Sequence, residues 1–141
     1  MSKIFMFDID GTLTPARKPM TKSMESIFTG FCERNRVFLV TGSDMSKVKQ
    51  QVPKHIMDAV EGIYTCSGNV YTENGVEVYS NEFKAPARLL ESLEGWVKYS
   101  SYPDKTGRHI EHRPGMINFS VIGRNCTQEQ REEYERWDSE T

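Results

Sequence analysis

Asp8 and Asp10 stand two positions apart, directly after the apolar run Ile4-Phe5-Met6-Phe7 and directly before Gly11-Thr12-Leu13-Thr14. Two carboxylates this close repel one another when both are ionised and unpaired, so the pair asks for a cation or a shared proton. Mg²⁺ suits such a pair, because it takes hard oxygen ligands and keeps water in its shell. A carboxylate beside Mg²⁺ can attack a phosphoryl group, and the second acid can then give or take the proton on the leaving or entering oxygen. Aspartate and glycine are also common turn formers, so the pair taken alone is equally well a turn that ends a strand. The apolar run before it and Thr12-Leu13-Thr14 after it favour chemistry.

A second candidate is Thr41-Gly42-Ser43-Asp44, where either hydroxyl, Thr41 or Ser43, can hydrogen-bond a phosphoryl oxygen, and a helix beginning near Asp44 would add its first amides. The sequence does not choose between the two hydroxyls. A third is a set of arginines. Lys105 to Arg131 carries five basic and two acidic residues, while the rest of the chain carries 13 basic against 18 acidic. Arginine's planar fork matches a phosphate better than an ammonium does. Arg113 at a strand turn, Arg124 ahead of a helix and Arg131 in that helix's first turn are the residues to converge on one anion.

These residues need elements to position them. The run at Lys3–Phe7 has strand length and no alternation, which suits a strand covered on both faces, and Val37–Val40 reads the same way. Between them Thr21 caps a helix with Met24, Ile27, Phe28 and Phe31 at helical spacing. A shorter helix follows with Met45, Val48 and Val52 on one face, ended by Pro53. Strand, helix, strand, helix predicts a parallel α/β sheet, whose strand ends are where ligands bind. Asn74-Gly75 between runs rich in Val, Tyr and Thr predicts a hairpin.

The rhythm then changes. Pro86 opens a helix whose Leu89, Leu90, Leu93 and Trp96 or Val97 form a core stripe, and two strands, His109–His112 and Met116–Ile122, join at Arg113-Pro114-Gly115. Thr127 and Gln130 have the spacing of a capping box at the head of a last helix that carries Arg131, Tyr134 and Trp137. The chain divides near residue 83, into 1–83 with a parallel sheet and 84–141 with an antiparallel sheet and helices.

Composition narrows the function. The 141 residues hold 18 Lys+Arg and 20 Asp+Glu, a net charge of −2, which excludes a strongly basic nucleic-acid binder. The apolar runs are far shorter than the ~18 residues of a membrane helix, so a cytoplasmic protein with no membrane partner is expected. Cys32, Cys66 and Cys126 are widely spaced, and His109 and His112 point to opposite faces of a strand; neither set has metal or disulfide spacing.

The segment Phe5 to Leu13 resembles the first motif of the haloacid-dehalogenase-like phosphotransferases. Within them the chain most resembles the eukaryotic-type phosphomannomutases, through DIDGTLTPAR at Asp8–Arg17, Gly42-Ser43-Asp44 after the second strand, and RPGMINFSVIGRNCTQ at Arg113–Gln128. The resemblance implies that Asp8 is the phosphorylated nucleophile and Asp10 the general acid/base, with Mg²⁺ at both. It implies sugar-phosphate contacts from Arg17, Ser43, Arg113, Arg124 and Arg131.

The fold it implies is an incomplete Rossmannoid core, at 1–83, plus part of an α+β cap, at 84–141. The activity it implies interconverts mannose 1-phosphate and mannose 6-phosphate, primed by a sugar 1,6-bisphosphate and feeding GDP-mannose synthesis, in a homodimer formed through the cap. Thr41 departs from the Gly-Gly-Ser usual in that family. The family's later lysine and acidic motifs match no stretch here, so the chain resembles a member cut inside its cap, with a C-terminal half still to be supplied. A sugar-phosphate phosphatase of the same superfamily, or a non-catalytic remnant that binds or dimerises, are the alternatives.

Overall fold

The computed structural model describes residues 3–140 and separates into two compact units, Met1–Glu82 and Phe83–Thr141. The first is a five-stranded sheet in the order β1 (Ile4–Asp8), β2 (Arg36–Val40), β3 (Gly62–Thr65), β4 (Val70–Glu73) and β5 (Val76–Ser80). β1, β2 and β3 are parallel, and β4 and β5 are antiparallel additions. The expected hairpin is present: Asn74 and Gly75 both take positive φ, 50° and 77°, as the tight turn between β4 and β5 requires.

α1 (Lys22–Cys32) starts where expected, with the Thr21 side chain accepting from the Met24 amide at 3.3 Å. It packs on the face of the sheet that carries Phe5, Phe7, Val37 and Leu39; the rings of Phe5 and Phe7 meet those of Phe28 and Phe31 edge to face at 5.0–5.5 Å. Ile27 does not join them and is 67 % exposed, because the buried stripe runs through Met24, Phe28, Phe31 and Cys32. α2 (Met45–Gln51) ends ahead of Pro53 as expected. Pro53 also opens a further helix that the spacing did not indicate, α3 (Lys54–Ala59), which buries Ile56.

Among the described residues the opening strand is covered on one face only. β1 is an edge of this five-stranded sheet, and Ile4 and Met6 are more than half exposed on the side opposite the phenylalanines. On that second side an aromatic row, Phe38, Tyr64, Tyr71 and Tyr79, crosses β2 to β5, with Tyr64 and Tyr71 stacked at 4.5 Å. Arg36 and Glu61 pair at 2.7 Å between β2 and the residue ahead of β3, and this hydrogen bond holds Glu61 below and Arg36 above its ordinary range.

The second unit holds α4 (Ala87–Tyr99), the antiparallel pair β6 (Ile110–Arg113) and β7 (Met116–Phe119), and α5 (Gln128–Glu140). Leu93 is the buried residue of α4, while Leu89 and Trp96 of the expected core stripe are exposed. Trp96 still meets Phe119 at 6.1 Å, so the apolar face of the hairpin lies toward α4. Tyr134 and Trp137 of α5 pack on the buried ring of Tyr102 at 4.8 and 5.1 Å. The capping box is formed: Gln130 N–H donates to Thr127 Oγ1, and Thr127 N–H donates to Gln130 Oε1. No helix among the described residues is long and apolar enough to cross a membrane.

Phe28 and Ile27 are neighbours in α1 with opposite surroundings. Phe28→Ala is expected to destabilise the chain by about 3–5 kcal/mol in urea unfolding and Ile27→Ala by less than ~0.5 kcal/mol. Equal effects would mean that the aromatic cluster is not what fixes α1 to the sheet.

Candidate active site

Ile9, between the two aspartates, is fully buried, and alternation along the chain therefore turns Asp8 and Asp10 away from the core. Its carbonyl oxygen collects the amides of Thr12, Leu13 and Thr14 at 3.0–3.2 Å and the Thr14 hydroxyl at 3.2 Å. Gly11, with φ of 78°, makes the reversal that lets its own amide donate to Thr14 O at 2.8 Å. The result is a tight loop at the carboxyl end of β1.

Each carboxylate has one oxygen held. Thr12 Oγ1 donates to Asp8 Oδ2 at 3.2 Å. Asp10 Oδ1 accepts twice, from the Arg17 amide at 2.8 Å and from Gln51 Nε2 at 2.7 Å. Arg17 reaches that position through a left-handed backbone, φ 62°. Its placement is thus structural through its main chain, whatever its side chain contributes.

Gln51 is the residue the spacing did not single out. It is 2 % exposed, its side-chain Nε2 also lies 3.3 Å from Thr14 Oγ1, and its main-chain carbonyl accepts from the Met20 amide at 2.8 Å. Its Oε1 is buried with no hydrogen-bond partner among the described residues. A polar residue on the apolar stripe Met45, Val48, Val52 of α2 was the one available signal, and it was a weak one.

Asp8 lines an open cleft of about 430 Å³ together with Thr41 and Gly42 after β2 and Ser67 and Gly68 after β3. All of these stand at the carboxyl ends of the parallel strands, where helices and strands leave room for a ligand. Of the two candidate hydroxyls, Thr41 lines this cleft and is 6 % exposed, and its Oγ1 accepts from the Ser43 amide at 3.1 Å. The Ser43 carbonyl accepts from Cys66 N–H, and Thr41 O from Ser67 N–H, so the two loops brace one another. The amide of Lys47, in the first turn of α2, is taken by the Asp44 carboxylate at 2.9 Å. Ser67 was not foreseen; its φ of 57° has no signal in the residue type.

In the second unit Arg113 and Arg124 meet on one carboxylate. Arg113 donates through Nη2 at 2.7 Å and Nε at 3.1 Å to Glu111 Oε2, and Arg124 Nε lies 3.2 Å from the same oxygen. Arg131 is held instead by its own loop, with Nη2 donating to Cys126 Sγ at 3.4 Å. The structure thus joins two of the three arginines through Glu111, a residue that charge counting treats only as a subtraction.

Of the solved structures resembling this one, a haloacid dehalogenase-like hydrolase from Bacteroides thetaiotaomicron aligns with a TM-score of 0.50 at 17 % identity, over 70 % of this chain and 39 % of its own. A trehalose-6-phosphate phosphatase related protein aligns with a TM-score of 0.51 at 18 % identity, over 95 % and 59 %. The fold is therefore of the haloacid-dehalogenase-like class. Residues 24–141 match the model of the eukaryotic phosphomannomutase family. A phosphomannomutase from Spinacia oleracea is 37 % identical over 96 % of this chain, and a probable phosphomannomutase from Caenorhabditis elegans 36 % over 96 %. The chain belongs to the eukaryotic phosphomannomutase family, and it spans 57 % of the length of each of these two relatives.

The Gln51 amide is expected to hold Asp10 and its loop. Gln51→Leu removes a hydrogen bond to a carboxylate but also an orphaned acceptor, for a net loss of about 1–2 kcal/mol in urea unfolding. Gln51→Glu, which sets a buried carboxylate against Asp10, is expected to cost about 3 kcal/mol or more. A Glu variant more stable than the Leu variant would remove this contact as the loop's anchor.

Proposed function

We propose that this chain supplies the nucleophile and the sugar-phosphate contacts of a phosphomannomutase, which moves a phosphoryl group between O1 and O6 of mannose through an aspartyl phosphate at Asp8. The observation that carries the reading is the pair of carboxylates at the end of a parallel strand, each with one oxygen tied and one left open. With Thr12 on Oδ2 of Asp8, Oδ1 is the atom free to attack phosphorus. As the new bond from Asp8 to phosphorus forms, the bond from phosphorus to the sugar oxygen breaks, and Asp10 delivers a proton to that oxygen from Oδ2, its untethered atom. The free hydroxyl of a mannose monophosphate then attacks the aspartyl phosphate while Asp10 takes its proton, which frees the Asp8 carboxylate and gives the 1,6-bisphosphate; turned end for end, this returns its other phosphoryl group to Asp8. A sugar 1,6-bisphosphate supplies the first phosphoryl group.

The donor set at Asp8 and Asp10 suits Mg²⁺, which is commonly held by one or two carboxylates together with water and substrate phosphate. Bound there, it would offset the charge that gathers on the transferring oxygens. Among the described residues no cluster of three or more His, Cys, Asp or Glu side chains stands ready to hold a metal. Thr41, in the cleft with Asp8, is favoured over Ser43 as a phosphoryl-oxygen donor.

The second unit takes the role of the substrate-binding cap, with Arg113, Arg124 and Arg131 holding the phosphate that is not reacting, and Arg17 adding a contact. Dimerisation through that unit, a cytosolic setting and supply of GDP-mannose synthesis belong to the same reading.

Labelled glucose 1,6-bisphosphate is expected to leave hydroxylamine-sensitive label on the protein, and Asp8→Asn to abolish it; label that survives the substitution sinks Asp8 as nucleophile. A coupled assay with mannose 1-phosphate, Mg²⁺ and catalytic bisphosphate separates the outcomes further. Asp8-dependent mannose 6-phosphate supports the mutase, free phosphate alone a phosphatase, while the absence of both means that the chemistry needs the part of its relatives' length that this chain does not span. Arg131→His is expected to weaken mannose 1-phosphate binding about tenfold in calorimetry with little change in thermal stability.

A further inference from the structure

Arg113 and Arg124 are both partly buried, with side chains 10 % and 28 % exposed, and each is bound to the same atom, Glu111 Oε2. Arg113 spends its Nε and Nη2 on that oxygen, which is the side-on edge an arginine offers to two oxygens of a carboxylate or phosphate. The position of Glu111 is fixed by the hairpin. It lies two residues from Arg113 on one side of β6, opposite Asn118 of β7, while Phe119 faces α4 on the other side. The carboxylate is therefore built into the polar face of this sheet, among the basic groups.

We propose that Glu111 is an internal counter-ion that a sugar phosphate must displace, and that it sets how tightly the two arginines hold that phosphate. The inference rests on the reading of Arg113 and Arg124 as phosphate contacts. Two guanidiniums close together repel, and one carboxylate between them lowers the charge of the cluster from +2 to +1 while keeping both forks gathered. That arrangement holds the arginines in place when no substrate is bound. It also weakens the grip on a phosphate dianion, which meets a like charge at the edge it needs.

A weakened grip has a use in this reaction. A bisphosphate formed at one end of the sugar has to be released by these arginines and taken up again by its other end. Arginines without a counter-ion would hold the first phosphate too well, whereas a carboxylate that returns to them makes release an exchange of partners rather than a bare loss of contacts. Glu111 is in this sense a positioning and affinity-setting residue, since it acts through Arg113 and Arg124 and not on the reacting atoms.

The test is calorimetric titration of the 141-residue chain with inorganic phosphate and, separately, with mannose 1-phosphate, at low ionic strength. Glu111→Gln keeps the side chain's size and removes its charge, and is expected to tighten both ligands about tenfold. Glu111→Asp, which withdraws the charge by one methylene, is expected to tighten them less, and serves if the Gln variant does not fold. Equal or weaker binding in the variant titrated overturns the inference and makes Glu111 a structural brace. Arg113→Ala and Arg124→Ala test the underlying reading separately. Should the unsubstituted chain bind neither ligand, or bind them unchanged without these arginines, the phosphate site itself falls and the inference with it.

Discussion

The carbonyl oxygen of Ile9 is the point on which the first unit turns. A fully buried apolar side chain between two acids leaves the backbone there no water to bond, and three amides and one hydroxyl close around that oxygen instead. The loop that satisfies it is what brings Asp8 and Asp10 out on the solvent side of the strand. It also sets the Arg17 amide and the Gln51 side chain against Asp10, so that residues 41 and 7 positions away come to depend on the same few hydrogen bonds. A change in the loop is therefore a change in the orientation of both carboxylates at once.

What the sequence made legible was local. The Asp-x-Asp-Gly turn, the Asn-Gly hairpin, the Thr21 cap and the Thr127–Gln130 capping box each lie within a few residues, and each has a side chain that does one recognisable thing. What it hid was decided across the fold. Nothing in Ile4-Phe5-Met6-Phe7 says that β1 is an edge with Ile4 and Met6 exposed, since a strand covered on both faces has the same composition. Ile27 has the spacing of a core residue and lies outside the stripe, and α3 is too short to declare a period. Gln51 and Glu111 matter because of partners brought to them by other elements, and no spacing rule reaches that far.

Both units face one electrostatic problem, like charges gathered into a small space, and they treat it differently. At the aspartates the partners are neutral donors: a hydroxyl for Asp8, a backbone amide and a side-chain amide for Asp10. These orient the carboxylates without cancelling their charge. At the arginines the partner is a full carboxylate, shared by both guanidiniums through a single oxygen.

The difference matches what each place would be asked to do. Carboxylates left with their charge still attract a divalent cation strongly, and with one oxygen of each fixed they meet it in a limited set of arrangements. A guanidinium pair already carrying a counter-ion is instead a place of partial neutrality, where an incoming phosphate would have to compete with the resident carboxylate. The aspartates are arranged so that charge persists until a cation arrives. The arginines are arranged around a carboxylate of the chain itself, so that an incoming anion would meet a competitor at the edge of Arg113.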